Sequence, residues 1–179
     1  MKTPFTPCVA HAALIVLIAA AVGGCSTPLA PLPAALDPGP AARLLTTLSA
    51  TGVQVYECRA GSNGAAPSWT FVAPEAVLFD ESGQRAGDHG AGPYWALADG
   101  SRIVGSVRGR ADAPRADAIP WLLLETRNTG VAGRLAAVHR VQRVQTEGGL
   151  APATGCDTQR AGTRVRVPYR ADYRLFVPA

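Results

Sequence analysis

The densest group of chemically useful side chains lies between residues 88 and 95. Asp88, His89, Tyr94 and Trp95 fall within eight positions there. Imidazole titrates near neutral pH, so His89 could serve as a general base if a carboxylate fixed its tautomer. Asp88 is one candidate for that carboxylate, and Asp117 is the other if the strand after it lies near His89. This arrangement would suit a hydrolase or a lyase.

The same region also suits noncatalytic binding, which we favour because no nucleophile accompanies His89. Aromatic surfaces with a few polar groups are what carbohydrates or small apolar molecules need. Trp95 and Trp121 would stack on the ligand, His89 and Asp117 would orient it by hydrogen bonds, and Tyr94 would complete the surface. Two alternatives stay open: the tryptophans are simply large core residues, or the protein is a structural or interaction module that presents an edge strand or its arginines to a partner in the cell envelope.

Motifs for cofactors and metals are missing from the sequence. It contains neither a nucleophile elbow nor a zinc-binding helix nor a phosphate-binding loop. The run Gly90-Ala91-Gly92 begins like a dinucleotide fingerprint, but it lacks the third glycine and continues into Pro93 rather than into a helix. We therefore expect no cofactor and no metal.

The elements that must position these residues are predominantly strands. The chain is 47% hydrophobic and 17% charged, and its 19 glycines and 15 prolines argue against a helical bundle. Asp99-Gly100 predicts a β-hairpin with a type I′ turn, and a short helix is expected over residues 41–49. The fold is predicted to be an all-β antiparallel sandwich or a partly closed barrel. Short runs rich in β-branched and aromatic residues predict strands at 53–58, 68–72, 75–79, 94–97, 101–104, 119–126, 135–146, 163–169 and 173–177.

The N-terminal segment predicts export and lipid anchoring. Lys2 precedes an apolar run over residues 12–24, which is too short to span a bilayer but typical of a signal peptide. The run ends at Val22-Gly23-Gly24-Cys25, which resembles the lipobox of bacterial lipoproteins. Cys25 would be lipidated, and Ser26 after it implies sorting to the outer membrane, facing the periplasm. The predicted organisation is a signal peptide over 1–24, a proline-rich tether over 25–40 and one all-β domain over 41–179.

Two of the four cysteines remain for the folded domain. Cys8 would leave with the signal peptide and Cys25 would carry lipid, so Cys58 and Cys156 are the candidates for a disulfide in an oxidising periplasm. Two buried free thiols are the alternative.

The charge does not suggest a nucleic-acid partner. Without Lys2, 16 arginines stand against 13 acidic residues, and the arginines are scattered rather than clustered in a stripe. The partners expected are therefore the membrane, through the lipid anchor, and a small-molecule or cell-envelope ligand.

Seven stretches occur in an order that resembles a known family. They are residues 52–58 (GVQVYEC), 87–95 (GDHGAGPYW), 99–101 (DGS), 117–124 (DAIPWLLL), 141–149 (VQRVQTEGG), 151–157 (APATGCD) and 167–173 (VPYRADY). The family is the bacterial and fungal secreted family catalogued as domain of unknown function 3455. The resemblance implies that Cys58 and Cys156 are the family's two cysteines and that the region around Val141 is extended. It brings no established reaction.

The sequence departs from the family pattern at four positions. Glycine replaces the usual tyrosine at Gly90, and tyrosine replaces the usual threonine at Tyr94. The other two departures are Gln145, where asparagine is usual, and Arg170, where threonine is usual.

Overall fold

A closed barrel of eight antiparallel strands accounts for most of the chain. The structure is a computed structural model that describes residues 32–179, so the predicted signal peptide and Cys25 lie outside the described residues. Consecutive strands pair with each other, and β8 pairs with β1 to close the barrel. The all-β prediction is confirmed, in its barrel form. The strands are β1 (Ala42–Arg59), β2 (Ser68–Phe79), β3 (Arg85–Gly90), β4 (Tyr94–Leu97), β5 (Arg102–Ala111), β6 (Trp121–Asn128), β7 (Arg140–Gly148) and β8 (Arg164–Pro178).

Helical structure in residues 32–179 is limited to two 3-10 turns, Ala34–Leu36 and Thr158–Arg160. In this part of the chain, no helix has the length and apolar character needed to cross a membrane.

The predicted short helix over residues 41–49 is wrong, because these residues form the first half of β1. A nine-residue helix is marginal by itself, whereas the strand pairs with the C-terminal half of β8 from Ala42↔Pro178 onward. Leu48 enters the core with no exposed surface, while Leu44 stays 47% exposed. A helix here would leave the backbone groups along one edge of β8 without hydrogen-bond partners. Residues 41–49 are therefore extended, because β1 pairs with β8 to close the barrel.

Several strand boundaries also differ from the predictions. The two segments at 68–72 and 75–79 form one continuous strand, β2, and those at 163–169 and 173–177 form β8. Strand β3 was not predicted, because Arg85–Gly90 contains two glycines and a histidine and lacks β-branched residues. Residues 135–139 precede β7 rather than belonging to it.

The Asp99-Gly100 hairpin is confirmed between β4 and β5, but its turn type differs. Gly100 has a φ of 82°, whereas Asp99 does not have a positive φ, so the turn is not type I′. The amide of Gly100 donates to Leu97 O, and the amide of Leu97 donates to Ser101 O, each at 3.0 Å. This is a three-residue hairpin loop in which the glycine takes the left-handed position.

Strand β7 is buried on both of its faces. Val141 faces the main cluster inside the barrel, whereas Val144 belongs to a second cluster on the outer face with Leu36, Trp121 and Leu123. Residues 32–36 cover that outer face, and the side-chain amide of Gln142 donates to Leu36 O at 2.6 Å. A three-residue spacing of valines by itself suits a helix, but here it reflects a strand with two buried faces, since Val141 and Val144 lie on opposite sides of the sheet.

The predicted disulfide is confirmed. Cys58, at the end of β1, is bonded to Cys156, and their Cα atoms are 5.3 Å apart. The bond joins β1 to the long connection between β7 and β8.

Candidate functional site

A cavity of about 300 Å³ lies inside one end of the barrel. Seven of the eight strands, β2 to β8, contribute side chains to its wall, which places it in the barrel interior rather than on an outer face. The wall is mainly apolar and aromatic. Its residues are Phe71, Val72, Pro74, His89, Gly92, Pro93, Trp95, Val107, Leu122, Leu124, Arg143 and Tyr173.

His89 occupies a buried position in this wall. It is only 4% exposed, and its ring packs against those of Trp95 and Tyr173, with both ring-to-ring distances 4.7 Å. Its Nδ1 is 2.6 Å from the carbonyl oxygen of Tyr94. A carbonyl can only accept, so Nδ1 carries the proton and the neutral ring has its lone pair on Nε2.

Burial determines the protonation of this histidine. Desolvation lowers the pKa of His89 from 6.5 to about 4, the hydrogen bond to Tyr94 opposes the shift, and the positive charge of Arg143 adds to it. His89 is therefore neutral at physiological pH. It offers a ligand one hydrogen-bond acceptor.

The two carboxylates considered as partners of His89 lie elsewhere. Because side chains alternate along a strand, Asp88 points to the face of β3 opposite His89, where it pairs with Arg85 at 2.8 Å. Asp117 precedes β6 in an exposed loop and pairs with Arg115 at 2.8 Å. Within residues 32–179, neither aspartate forms a hydrogen bond with His89.

The aromatic candidates are divided between the two sides of the barrel wall. Trp95 is fully buried inside, where it lines the cavity and meets the edge of Tyr173 at 5.4 Å. Trp121 packs in the outer cluster beneath Leu36. Tyr94 also faces outward, and the Arg102 guanidinium lies 3.9 Å from the centre of its ring. Of the predicted ligand-binding residues, the structure brings only His89 and Trp95 to the cavity.

The two unusual residues at 90 and 94 are cross-strand partners. Gly90 lies directly opposite Tyr94 in the β3–β4 pair. A Cβ atom on Gly90 would be 2.6 Å from the Tyr94 ring, so the ring occupies the space that a side chain at 90 would need. The Tyr94 ring therefore fills this space from the opposite strand.

Arg143 and Tyr173 belong to the site but were not among the predicted site residues. Arg143 lies between Leu122 and Tyr173 in the sheet, and all three line the cavity. Its Nε and Nη2 donate to Pro120 O at 3.1 and 2.8 Å. Little in the sequence marks Arg143, because it lies between Gln142 and Val144 in a segment whose two buried faces hide the usual alternation.

Two buried tyrosines lie on β8, which pairs with the strand of Arg143. The hydroxyls of Tyr169 and Tyr173 are 3.3 Å apart. Burial raises the pKa of both phenols, so they are neutral at physiological pH.

The mouth of the cavity is apolar. Phe71 and Val107 line it and remain 49% and 54% exposed. Tyr56 supports Phe71 from the side, with the ring centres 5.8 Å apart, and its hydroxyl donates to Gly149 O at 2.6 Å. An exposed apolar rim leading to a partly empty apolar interior is the usual form of a small-molecule site.

The model of the family described as "Protein of unknown function (DUF3455)" matches residues 38–177. The chain belongs to this family. No curated protein and no solved structure matches the chain. The family description assigns no reaction or ligand, so the function has to be argued from the cavity.

Proposed function

We propose that the barrel is a noncatalytic binding module that holds a small, largely apolar molecule in its interior. The cavity of about 300 Å³ between His89, Trp95 and Tyr173 carries this proposal. Eight-stranded barrels are wide enough either to be filled by their own side chains or to hold one small ligand. A partly empty interior with an apolar mouth supports the second case.

The character of the wall favours an apolar ligand over a carbohydrate. A sugar carries a hydroxyl on most of its carbons, and each buried hydroxyl needs a hydrogen-bond partner. The wall is formed mainly by side chains such as Leu122, Leu124 and Pro74, and its polar side chains are His89 and Arg143, with the hydroxyl of Tyr173. That number of polar groups suits a ligand with one polar end.

The surroundings of His89 argue against a hydrolase or lyase. A general base works best when its pKa is near the working pH, and burial holds the pKa of His89 at about 4. Its Nδ1 is bound to a backbone carbonyl rather than to a carboxylate.

An interaction through an edge strand has less support than ligand binding. β1 and β8 pair along their length, so the eight described strands leave no free edge.

Blocking the mouth tests the binding proposal. Val107→Phe places a larger side chain at the rim, and Val131→Phe makes the same change at a surface position that is 60% exposed and lies in the connection between β6 and β7. In a panel of small apolar compounds screened by thermal shift and calorimetry, we expect at least one that stabilises the wild-type domain and the Val131→Phe variant but not Val107→Phe. If no compound binds the wild-type domain, or if binding survives in Val107→Phe, the proposal fails.

We also propose that the domain is exported and anchored through lipid on Cys25 to the outer membrane, facing the periplasm. The signal-peptide pattern and the sequence around Cys25 support this, and the Cys58–Cys156 bond suits an oxidising compartment. In a bacterial host, the wild-type protein should appear in the outer-membrane fraction with the mass of a triacylated N-terminus. Cys25→Ser should abolish acylation. A wild-type protein without acyl chains would contradict the proposal.

A further inference from the structure

We infer that the ligand carries a carboxylate, and that Arg143 binds it inside the cavity. This inference rests on the proposed function and specifies the chemical class of the ligand. It concerns the only cationic side chain in the cavity wall.

The position of Arg143 gives it access to the interior. It is the direct neighbour of Leu122 on β6 and of Tyr173 on β8, both of which face the cavity. An anion bound there would lie close to the phenol of Tyr173, and an apolar body attached to it would contact Leu122, Leu124 and Trp95.

The hydrogen bonds of Arg143 leave one side of its guanidinium group for a ligand. Nε and Nη2 both donate to Pro120 O, which holds the group at that edge. A guanidinium has five N–H groups in a fixed planar arrangement. The two on Nη1 and the second one on Nη2 remain, and they lie beside the hydroxyl of Tyr173, where a hydrogen bond from Arg143 opposes the burial that raises the pKa of this phenol. One from each nitrogen forms a parallel pair whose spacing matches the two oxygens of a carboxylate.

The charge of Arg143 has no counterion in the described part of the chain. The ion pairs within residues 32–179 use other arginines and exposed carboxylates. The titratable groups on which its charge acts inside the barrel are His89 and the phenols of Tyr56, Tyr169 and Tyr173. These are neutral at physiological pH. A cation in an apolar wall is costly unless an anion pairs with it, and a bound carboxylate supplies that anion.

The number of cations distinguishes a carboxylate from a phosphate. A phosphate monoester carries nearly two charges and three strong acceptor oxygens, whereas the cavity wall offers one cation. Taking about 30 Å³ for each small group, as for water in the liquid, a cavity of about 300 Å³ accommodates roughly ten non-hydrogen atoms. A compact monocarboxylate with an apolar tail fits both the charge and the volume.

Three probes of equal chain length test this inference: octanoate, octan-1-ol and octylammonium, measured by calorimetry on the full domain. Charge-assisted hydrogen bonds contribute more than neutral ones, so octanoate should bind at least about tenfold more tightly than octan-1-ol, and octylammonium should bind more weakly than both. Equal binding of octanoate and octan-1-ol would overturn the inference but leave the proposed function standing. If none of the probes binds and the wider panel also fails, the proposed function itself is wrong.

Variants of Arg143 separate charge from shape. Arg143→Gln should lower octanoate affinity at least about tenfold and change octan-1-ol affinity less than about threefold. The matched control is Arg127→Gln, which removes the same charge from an exposed position on β6 and should leave both affinities unchanged. If Arg143→Gln does not fold, the comparison of the three probes on the wild-type domain still decides. Unchanged octanoate binding in a folded Arg143→Gln variant would overturn the inference.

Discussion

The two ends of the barrel are built in different ways. Because successive connections in an up-and-down barrel alternate between its ends, residues 98–101 and 129–139 share one end, which we call the plugged end. Leu135 and Val138 enter the interior cluster there and are almost completely buried. Asp99 and Ser101 hold this segment, because the amide of Arg134 donates to Asp99 at 2.8 Å and that of Leu135 donates to Ser101 at 3.3 Å.

The opposite end, which we call the open end, carries the cavity. Its connections include residues 91–93, 112–120 and 149–163. Residues 149–163 are held by the Cys58–Cys156 bond and by a hydrogen bond of 2.9 Å from Trp69 Nε1 to Thr154 O. Residues 112–120 insert one apolar side chain, Ile119, into the interior cluster. The comparison indicates that Leu135 and Val138 fill the interior at the plugged end, whereas the open end combines one inserted side chain with a covalent bond and leaves part of its interior unfilled.

The largest effect should come from removing the disulfide. The bond closes a separation of 98 residues, and the chain-entropy model assigns such a bond about 4 to 5 kcal/mol. We expect Cys58→Ala combined with Cys156→Ala to lower the free energy of unfolding by this amount in urea titrations. Reductant should destabilise the wild-type domain equally and have no effect on the double variant. A loss below about 1 kcal/mol would show that the open end does not depend on the bond.

Truncating the plug should have the next largest effect. Leu135→Ala leaves a cavity at a position with no exposed surface and should cost about 2 to 5 kcal/mol. Val107→Ala, at the 54% exposed rim of the open end, should cost less than about 1 kcal/mol. Chemical denaturation of both variants measures the difference. Similar costs at the two positions would contradict the distinction between the ends.

Acid should destabilise the open end through His89. The pKa of His89 is about 4 in the folded protein, below the ordinary value of 6.5, so the unfolded chain binds more protons between these values. The stability that depends on neutral His89 is therefore fully present above pH 6.5 and is lost as the pH falls from 6.5 to about 4. The melting temperature should fall across this range. His89→Gln should flatten the slope, and an unchanged slope in this variant would contradict the assignment.

A substitution at Tyr94 should compensate for the destabilisation caused by a larger side chain at its cross-strand partner, Gly90. Gly90→Tyr places a side chain where the Tyr94 ring already lies and should cost about 1 to 3 kcal/mol through overpacking. Adding Tyr94→Thr removes that ring and should restore most of the loss, as thermal unfolding of the single and double variants would measure. If the stability losses of the two single variants simply add in the double variant, the side chains at 90 and 94 do not compete for the same space.

The smallest effect concerns Asp99 at the plugged end. Hydrogen bonds from the amide of Arg134 and from Ser101 lower the pKa of Asp99 from 3.8 to about 2. The stabilisation is present above pH 3.8 and is lost as the pH falls towards about 2. Asp99→Asn should reduce the slope of the melting temperature in that range, whereas Asp112→Asn, in an exposed loop, should not. The same slope in both variants would argue against a role of Asp99 in holding the plug.

Local patterns predicted much of the fold. In β8, Arg164 and Arg166 alternate with valines, a pattern that predicts exposed arginines and buried valines. Both arginines are exposed, although Val165 and Val167 are only half-buried. The hairpin could be predicted because Gly100 tolerates the positive φ that a tight turn requires. The helix over residues 41–49 was predicted wrongly because the leucines there have helical spacing, and only pairing with a strand more than a hundred residues later makes them extended.

The candidate site was harder to predict. Trp95 and Trp121 look equivalent in the sequence, yet one lines the cavity and the other lies beneath Leu36 on the outer face. Arg143 was missed because β7 is buried on both faces, so that no polar alternation marks its inward side. Lipidation of Cys25 remains a prediction.

The sequence by itself determined that the chain is all-β, where the main hairpin turns and which two cysteines can pair, because strand propensity, turn geometry and cysteine number are local properties. The tertiary structure decided that the barrel closes, which aromatic side chains face inward and that an arginine lies beside an unfilled interior. These features depend on register between distant strands and on what covers each face of the sheet, since a shift of one residue moves a side chain from one face to the other.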